Sequence, residues 1–415
     1  MAAITERQAD GARAPWRDGP WRELPRTPHA PVHAAICRAL LVRVAHGLQV
    51  RVQLPDGRSL GPTGPDVPLL VIHRDDFFHR VGRDGLIGFG ESYMAGDWDA
   101  DDLGAALRPF AARVESLVPA WMQRLRHVYV RHQPADEANT KRGARRNIAR
   151  HYDLSNELFE LFLDPSMTYS CAWFEAGDTL ERAQKRKIDR LLDAVHVGPG
   201  TRVLEIGTGW GALAVRAACR GAHVTTLTLS REQQAVARRR ANDAGVSDRI
   251  DVQLRDYRDA HGRYDAVVSV EMLEAVGERY WPTFFSTVDG LVERGGRVGI
   301  QTIVFEHARM LATRGQYTWI SKYIFPGGAI PSIRAIEAVV AEHTRMVVGD
   351  RFHFGRHYAT TLRAWRARFD AHAAEVEALG FDRAFRRMWD FYLAYSEAGF
   401  ATGYLDDVQL VLDAP

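Results

Sequence analysis

The residues best placed to do chemistry lie in Arg202-Val-Leu-Glu-Ile-Gly-Thr-Gly-Trp-Gly211. An apolar run, 203–206, enters three alternating glycines, Gly207, Gly209 and Gly211, and a helix-like run, 212–219, follows at once. Glycines suit a backbone that turns sharply and lets a ligand touch it. A helix N-terminus that receives pyrophosphate has no use for a carboxylate beside it. Glu205, two positions before the first glycine, instead suits a cationic ligand, such as the ammonium and sulfonium of S-adenosylmethionine. A glycine-rich loop by itself is equally an ordinary turn. The strand–loop–helix context is what favours the methyl donor.

Other polar groups end the neighbouring apolar runs. Many nucleotide sites place a ribose-binding carboxylate after the second strand. This chain has Thr228, Leu229, Ser230 and then Gln233. Thr228 and Gln233 can hydrogen-bond a ligand, whereas Ser230 is explained as a helix N-cap. Asp256 and Tyr257 end the third run, where they offer an adenine edge and face or simply a turn. Glu271 and Glu274 follow the fourth run, and a spacing of three puts both carboxylates on one helix face. Solvated charges are the plain alternative; the carboxyl edge of a sheet is where α/β sites open. Cys171, in Tyr169-Ser-Cys-Ala-Trp-Phe174, reads as a small buried hydrophobe, because no histidine and carboxylate mark it as a nucleophile.

These groups need a sheet to hold them. From 151 onward, apolar strand-like runs at 203–206, 224–229, 250–254, 266–269 and 298–303 alternate with helical runs at 183–194, 212–219, 231–244, 279–290 and 333–343. That alternation predicts a parallel sheet with crossover helices. Further helices are expected at 365–379 and 385–398, and a last strand at 408–412. Before this domain, a helix at 34–44, a hairpin over 48–60 around Pro55-Asp56-Gly57, a strand at 69–72 and helices at 74–81 and 101–117 predict a small α+β domain, 33–121. Gly85-Leu-Ile-Gly-Phe-Gly90 reads as a turn between the two helices. Residues 1–32 read as a flexible tail, 122–150 as a basic linker and 151–415 as the α/β domain. The linker carries Arg124, Arg126, Arg131, Lys141, Arg142, Arg145, Arg146 and Arg150 against Asp136 and Glu137. It is either a solvated connector or a contact for anionic lipid head groups, each basic residue then adding about 1 kcal/mol.

The 415 residues carry Lys+Arg 54 against Asp+Glu 52, which gives no global field for nucleic acid. Cys37, Cys171 and Cys219 make neither a metal spacing nor an even disulfide set, as suits a reducing compartment. The N-terminal residues have no apolar signal region, and no apolar run reaches bilayer length. The expectation is a cytoplasmic protein whose membrane contact is peripheral, on the inner face.

Taken together, His151-Tyr-Asp-Leu-Ser-Asn156, Met167-Thr-Tyr-Ser-Cys171, the glycine loop, Leu227-Thr-Leu-Ser230, Lys322-Tyr-Ile-Phe-Pro-Gly-Gly328 and Phe354-Gly-Arg-His-Tyr358 resemble the cyclopropane-fatty-acyl-phospholipid synthase family over about 70–412. That resemblance implies a Rossmann-like class I methyltransferase domain after the small α+β domain. It implies methyl transfer from S-adenosylmethionine to a cis double bond in a phospholipid acyl chain. By the same resemblance Tyr169, Ser170, Gly207, Gly209, Thr228, Leu229, Gln233 and Tyr257 touch the donor. The family also holds a bicarbonate with a Cys, a Glu, a His, an Ile backbone and a Tyr; four of these fall on Cys171, Glu274, Ile303 and Tyr358.

The departures are specific. The histidine position is Gln301, the residue after the glutamate is Ala275 where His is common, and a common glycine is Glu271. A cysteine sometimes marked near the C-terminus is replaced around Ser396. An amide donates a hydrogen bond but cannot share a proton, which counts against bicarbonate. These changes, with Met310-Leu-Ala-Thr-Arg314 and Ser396-Glu-Ala-Gly-Phe400, resemble the tuberculostearic-acid branch, which makes 10-methylene and 10-methyl chains. In such chemistry, apolar and aromatic walls must keep water from a carbocation; Trp173, Phe174, Phe325 and Tyr358 are candidates, with ordinary core as the alternative. Base placement then decides between a ring and a methylene. Glu271 joins Glu274 as a candidate base. A homodimer and a separate reductase are compatible partners that no residue pattern fixes. Methylation of a small soluble nucleophile, and lipid binding without catalysis, are the rival functions.

Overall fold

The computed structural model describes residues 21–45, 47–113, 134, 137, 139–152 and 154–415. In chain order the first elements are α1 (Pro31–Ala45), β1 (Arg51–Gln53), β2 (Ser59–Leu60), β3 (Leu69–Ile72), α2 (Asp76–Met94), β4 (Trp98–Ala100) and α3 (Leu103–Ala112). They are followed by α4 (Lys141–Tyr152), α5 (Asn156–Phe162), α6 (Leu180–Ala194), β5 (Arg202–Ile206), α7 (Ala212–Cys219), β6 (His223–Thr228), α8 (Arg231–Asp243), β7 (Ile250–Leu254) and β8 (Tyr264–Val270). The rest are α9 (Leu273–Val276), α10 (Trp281–Leu291), β9 (Val292–Val304), α11 (His307–Thr313), α12 (Trp319–Tyr323), α13 (Ile333–His343), β10 (Val347–His353), α14 (Arg356–Ala371), α15 (Ala373–Ala378), α16 (Arg383–Ala401) and β11 (Asp406–Asp413).

Seven strands form the main sheet in the order β10-β11-β9-β8-β5-β6-β7. β5 to β9 run parallel, β11 pairs antiparallel with β9, and β10 pairs antiparallel with β11 at that edge. After β5 the chain steps outward to β6 and β7, then crosses back to place β8 on the other side of β5. This reversal opens a crevice at the carboxyl ends of β5 and β8, where α/β ligands bind. The five parallel strands match the runs read from the sequence; β5 and β8, buried inside the sheet, are the most continuously apolar, whereas β7 is a half-exposed edge strand. β10 has no counterpart among the expected strands: it is a largely exposed edge strand containing Gly349, Asp350 and Arg351, with no apolar alternation to mark it. The helix expected at 365–379 instead begins at Arg356 and breaks at His372.

The N-terminal unit is a four-stranded sheet, β2-β1-β3-β4, flanked by α1, α2 and α3. The expected hairpin pairs Val52 with Leu60. The glycine-rich stretch 85–90 is not a turn between helices: α2 continues through it, kinked at Gly85 (φ 58°). Gly90 has a packing reason, since a Cβ there would lie 2.4 Å from the Trp319 indole. The expected tail also has a packed part, for Trp21 is buried with its ring 5.0 Å from Phe385.

One apolar core runs through the N-terminal unit into α5, α14 and α16. Buried polar pairs cross the same junction. Glu91 on α2 accepts from Lys322 (2.5 Å) and Tyr323 (2.9 Å) on α12. Glu397 on α16 accepts from Arg108 (2.6 Å) and Arg363 (2.9 Å). Part of the expected linker lies outside the described residues, including Arg124, Arg126, Arg131 and Asp136. Its latter part is α4, tied to the α/β unit where Asn139 donates to the Gly327 carbonyl at 2.8 Å and Arg258 donates to the Asn139 carbonyl at 3.1 Å. No helix among the described residues is long and apolar enough to cross a membrane.

Candidate active site

A cleft opens at the β5–β8 switch and, with its mouth, encloses about 970 Å³. Tyr169, Ser170, Glu205, Gly207, Gly209, Thr228, Leu229, Gln233, Tyr257 and Glu271 all line it. The three loop glycines have different reasons. All three have positive φ (99°, 50° and 90°). A Cβ on Gly207 would strike Met272 at 2.5 Å, and one on Gly211 would strike Ala237 at 2.9 Å, so Gly211 serves the packing of α7 on α8 and does not line the cleft. Only Gly209 faces open space. That is where a ligand can approach bare backbone.

Glu205 is buried, with the Thr226 hydroxyl donating to it at 2.5 Å. Burial pushes its carboxyl up to about 8, partly offset by that hydroxyl. A cation delivered to the cleft would relieve the cost of ionising it. Thr228 donates to Gln233 Oε1 at 2.8 Å, which leaves the Gln233 amide nitrogen for a ligand. Ser230 caps α8 as expected. Asp256 is not brought into the cleft: it lines a small adjacent recess, with Arg258 clamping its carboxylate at 2.7 and 2.8 Å. A buried carboxylate beside an open glycine, a free amide donor and an aromatic face at Tyr257 fit S-adenosylmethionine.

The second constellation joins the cleft at Glu271. Its backbone has φ 48°, a conformation that side chains occupy at a cost of about 1–3 kcal/mol. The side chain repays this by accepting three hydrogen bonds. Cys171 N–H (2.7 Å) and Gln301 Nε2 (3.0 Å) donate to Oε1, and the Tyr358 hydroxyl (2.6 Å) donates to Oε2. Its own N–H donates to the Gln301 carbonyl at 2.8 Å. Cys171 therefore acts through its backbone. Its thiol is fully buried, and burial above all holds it well above its usual range. Burial and the charge of Glu271 likewise keep Tyr358 a hydroxyl donor.

Glu274 points elsewhere. Its Oε1 accepts from Thr302 (3.0 Å) and from the Ile303 N–H, while its Oε2 is buried without a hydrogen-bond partner. Burial, and then the charge of Glu271, push its carboxyl up to about 8. These contacts bear on the anion expected from the resemblance. The Cys171 N–H and the Tyr358 hydroxyl are taken by Glu271, the Ile303 N–H by Glu274, and the histidine position is an amide. The chain's own carboxylate fills the seat, and the residues present do not fit a free bicarbonate.

Two residues of the site were not read from the sequence. Lys187 on α6 is 1% exposed, lines the cleft and donates to Ser170 Oγ at 2.5 Å. Gln184, one turn earlier, donates to the Ser170 carbonyl at 2.8 Å, so α6 pins the segment that carries the Cys171 N–H. Asp407, fully buried at the start of β11, accepts from Gln301 Nε2 at 2.9 Å. Both had a signal: Lys187 falls on the apolar stripe Ala183, Ile188, Leu191, and Asp407 alternates with Gln409 on one face of an apolar strand. Of the expected aromatic walls, Tyr358 packs on Phe400 (4.4 Å) and Phe325 on Tyr392 (6.0 Å). Trp173 and Phe174 pack on Phe352 (5.0 Å) and His357 (6.4 Å), and none of the four is in the lining of the donor cleft.

Glu205 generates a pH test. Below about 8 it is largely protonated, and a cationic donor favours the anion. Donor affinity, relative to that of Glu205→Gln, should rise by up to roughly tenfold per pH unit toward 8 and then level off. Calorimetric titrations across that range that gave parallel curves for parent and variant would remove Glu205 from donor binding.

Comparison with known proteins agrees with this geometry. The family model described as mycolic acid cyclopropane synthetase matches residues 139–410. A tuberculostearic acid methyltransferase of Mycobacterium tuberculosis is 51% identical over 399 residues, 94% of this chain and 93% of that protein. The cyclopropane-fatty-acyl-phospholipid synthase of Escherichia coli K12 is 36% identical over 342 residues, 82% of this chain and 85% of that protein. Among solved structures, a cyclopropane synthase from M. tuberculosis superposes with TM-score 0.61 at 32% identity, covering 65% of this chain and 98% of that one. A mycolic acid cyclopropane synthase complexed with SAH and CTAB gives TM-score 0.60 at 30% identity, covering 68% and 99%. The chain belongs to the mycolic acid cyclopropane synthetase family and is an S-adenosylmethionine-dependent C-methyltransferase of class I fold.

Proposed function

We propose that this enzyme methylates the cis double bond of an unsaturated phospholipid acyl chain and releases a methylene-branched chain, with Glu271 as the proton acceptor. The observation that carries this reading is the Glu271 carboxylate, seated by three donors at the edge of the donor cleft. S-adenosylmethionine supplies an electrophilic methyl on a cationic sulfur. An alkene is a weak nucleophile, so the protein must align it and keep the site dry. Bond formation at one alkene carbon leaves a cation on the other. A hydride shift moves the cation to the methylated carbon. Loss of a proton from the new methyl to Glu271 turns that C–H pair into the exocyclic C=C bond. Closing the same pair onto the first cation would give a cyclopropane instead. The relatives' names include a tuberculostearic acid methyltransferase and a cyclopropane synthase. The fixed internal carboxylate, in place of a free anion, supports the methylene. Glu274 is the second candidate base, but it does not line the cleft. A methylene product still holds a double bond, so a 10-methyl chain needs a separate hydride-donating reductase.

Substrate in a membrane implies a peripheral enzyme on the inner leaflet. The exposed Arg142 and Arg146 on α4, beside the recess that adjoins the donor cleft, support contact with anionic head groups. A homodimer is compatible with this arrangement. Arg142→Gln with Arg146→Gln should weaken binding to anionic vesicles, more at low salt than at high salt. Equal binding by parent and variant at both ionic strengths would leave α4 a mere strut.

The catalytic test uses purified protein, donor and vesicles of an oleoyl phospholipid. Acyl chains should gain one carbon. Glu271→Gln should lower turnover roughly 10²–10⁴-fold, with donor affinity unchanged. Full turnover in that variant would move the base to Glu274.

A further inference from the structure

Asp407 lies next to Glu271 and has no role in the chemistry above. A single atom, Gln301 Nε2, donates to Asp407 Oδ2 at 2.9 Å and to Glu271 Oε1 at 3.0 Å. One amide nitrogen thus bridges two carboxyl groups. Its direction is fixed from behind, where Gln409 Nε2 donates to Gln301 Oε1 at 3.3 Å. The other Asp407 oxygen, Oδ1, is buried with no hydrogen-bond partner.

Two carboxyl groups held this close in a dry site cannot both ionise at neutral pH. The proton belongs to the one that gains less from being an anion. Glu271 accepts three hydrogen bonds, whereas Asp407 accepts one from Gln301 and keeps an oxygen free. The other titratable groups around them are Glu274 on α9, the Cys171 thiol, Tyr358 on α14 and Lys187 on α6. Lys187 brings the positive charge among these, and three carboxyl groups outnumber it. Burial, then the charge of Glu271, hold the Asp407 carboxyl well above the usual carboxylate range.

We infer that Asp407 carries a proton in the working enzyme and forms a dyad with Glu271, acting as a positioning residue that keeps Glu271 aimed into the cleft. An amide at 301 cannot hold a proton, so the dyad places it on the next group of the network. Ionising Asp407 would set two anions against one amide donor and loosen Glu271 from its seat.

The proposal rests on the methyl-transfer reading only where turnover is the readout, so two readouts are needed. The first is turnover against pH for parent and Asp407→Asn. The parent should lose turnover on the alkaline side as Asp407 ionises. The variant, with each profile read relative to its own neutral value, should lose that alkaline fall. An unchanged alkaline fall would overturn the dyad, as would a loss of more than about tenfold at every pH, which would make Asp407 a required anion. The second readout is the infrared spectrum of the full-length parent with its aspartate side-chain carboxyls labelled with heavy carbon. A label-sensitive band of a protonated carboxyl is expected at neutral pH, absent from Asp407→Asn and fading over the same pH range as the rate. Absence of that band in the parent would overturn the dyad whether or not Asp407→Asn folds. A band without any methyl transfer would overturn the functional reading and support the dyad.

Discussion

Glu271 is held in a backbone conformation that glycine prefers, and its carboxylate is what makes that conformation tolerable. Three donors from three separate parts of the chain converge on it. Each donor is placed by a different element. Gln184 and Lys187 on α6 pin the segment bearing the Cys171 N–H. The start of α14 sets Tyr358. The β9–β11 pairing sets Gln301 opposite Gln409. Moving any of these would leave a buried acceptor or donor unpaired, at about 1–3 kcal/mol each. The same carboxylate therefore knits the sheet edge, the C-terminal helices and the donor cleft into one site.

Much of this was legible in the sequence, and the reasons are physical. Parallel strands such as 203–206 and 266–269 are apolar on both faces and announce themselves, as does the glycine loop between a strand and a helix. Cleft residues clustered at strand ends could be picked out because α/β sites open there. Other features depend on contacts that sequence spacing does not show. Glu271 and Glu274 are three apart, yet their carboxylates face different partners, because the left-handed residue at 271 precedes α9 and turns the two side chains apart. Asp256 looked like an adenine partner, but Arg258 two residues on claims it. Lys187 and Asp407 carried a periodicity signal that a search for motifs passes over. A charged residue on an apolar stripe is costly to bury and is a pointer to a site.

The N-terminal unit acts on the site at one remove. Trp319 lies against Gly90, and Lys322 and Tyr323 reach Glu91, so α12 is seated by α2. From α12 the chain passes Phe325, which packs on Tyr392, and Tyr392 meets the hydroxyl of Tyr169 at 2.8 Å in the donor cleft. Tyr169 in turn stacks on Trp365 at 5.1 Å. Aromatic packing of this density excludes water, and a carbocation survives only where water is excluded. The small unit thus supports, through α12, the packing behind Tyr169.

The methylene and cyclopropane products have the same mass, so the position of the last proton lost decides between them. Proton NMR of the acyl ester isolated after reaction of the purified enzyme with S-adenosylmethionine and an oleoyl phospholipid reads that position directly. Resonances of an exocyclic vinylic methylene are expected, as follows from a seated internal carboxylate that removes a proton after the hydride shift. High-field ring protons alone would contradict it.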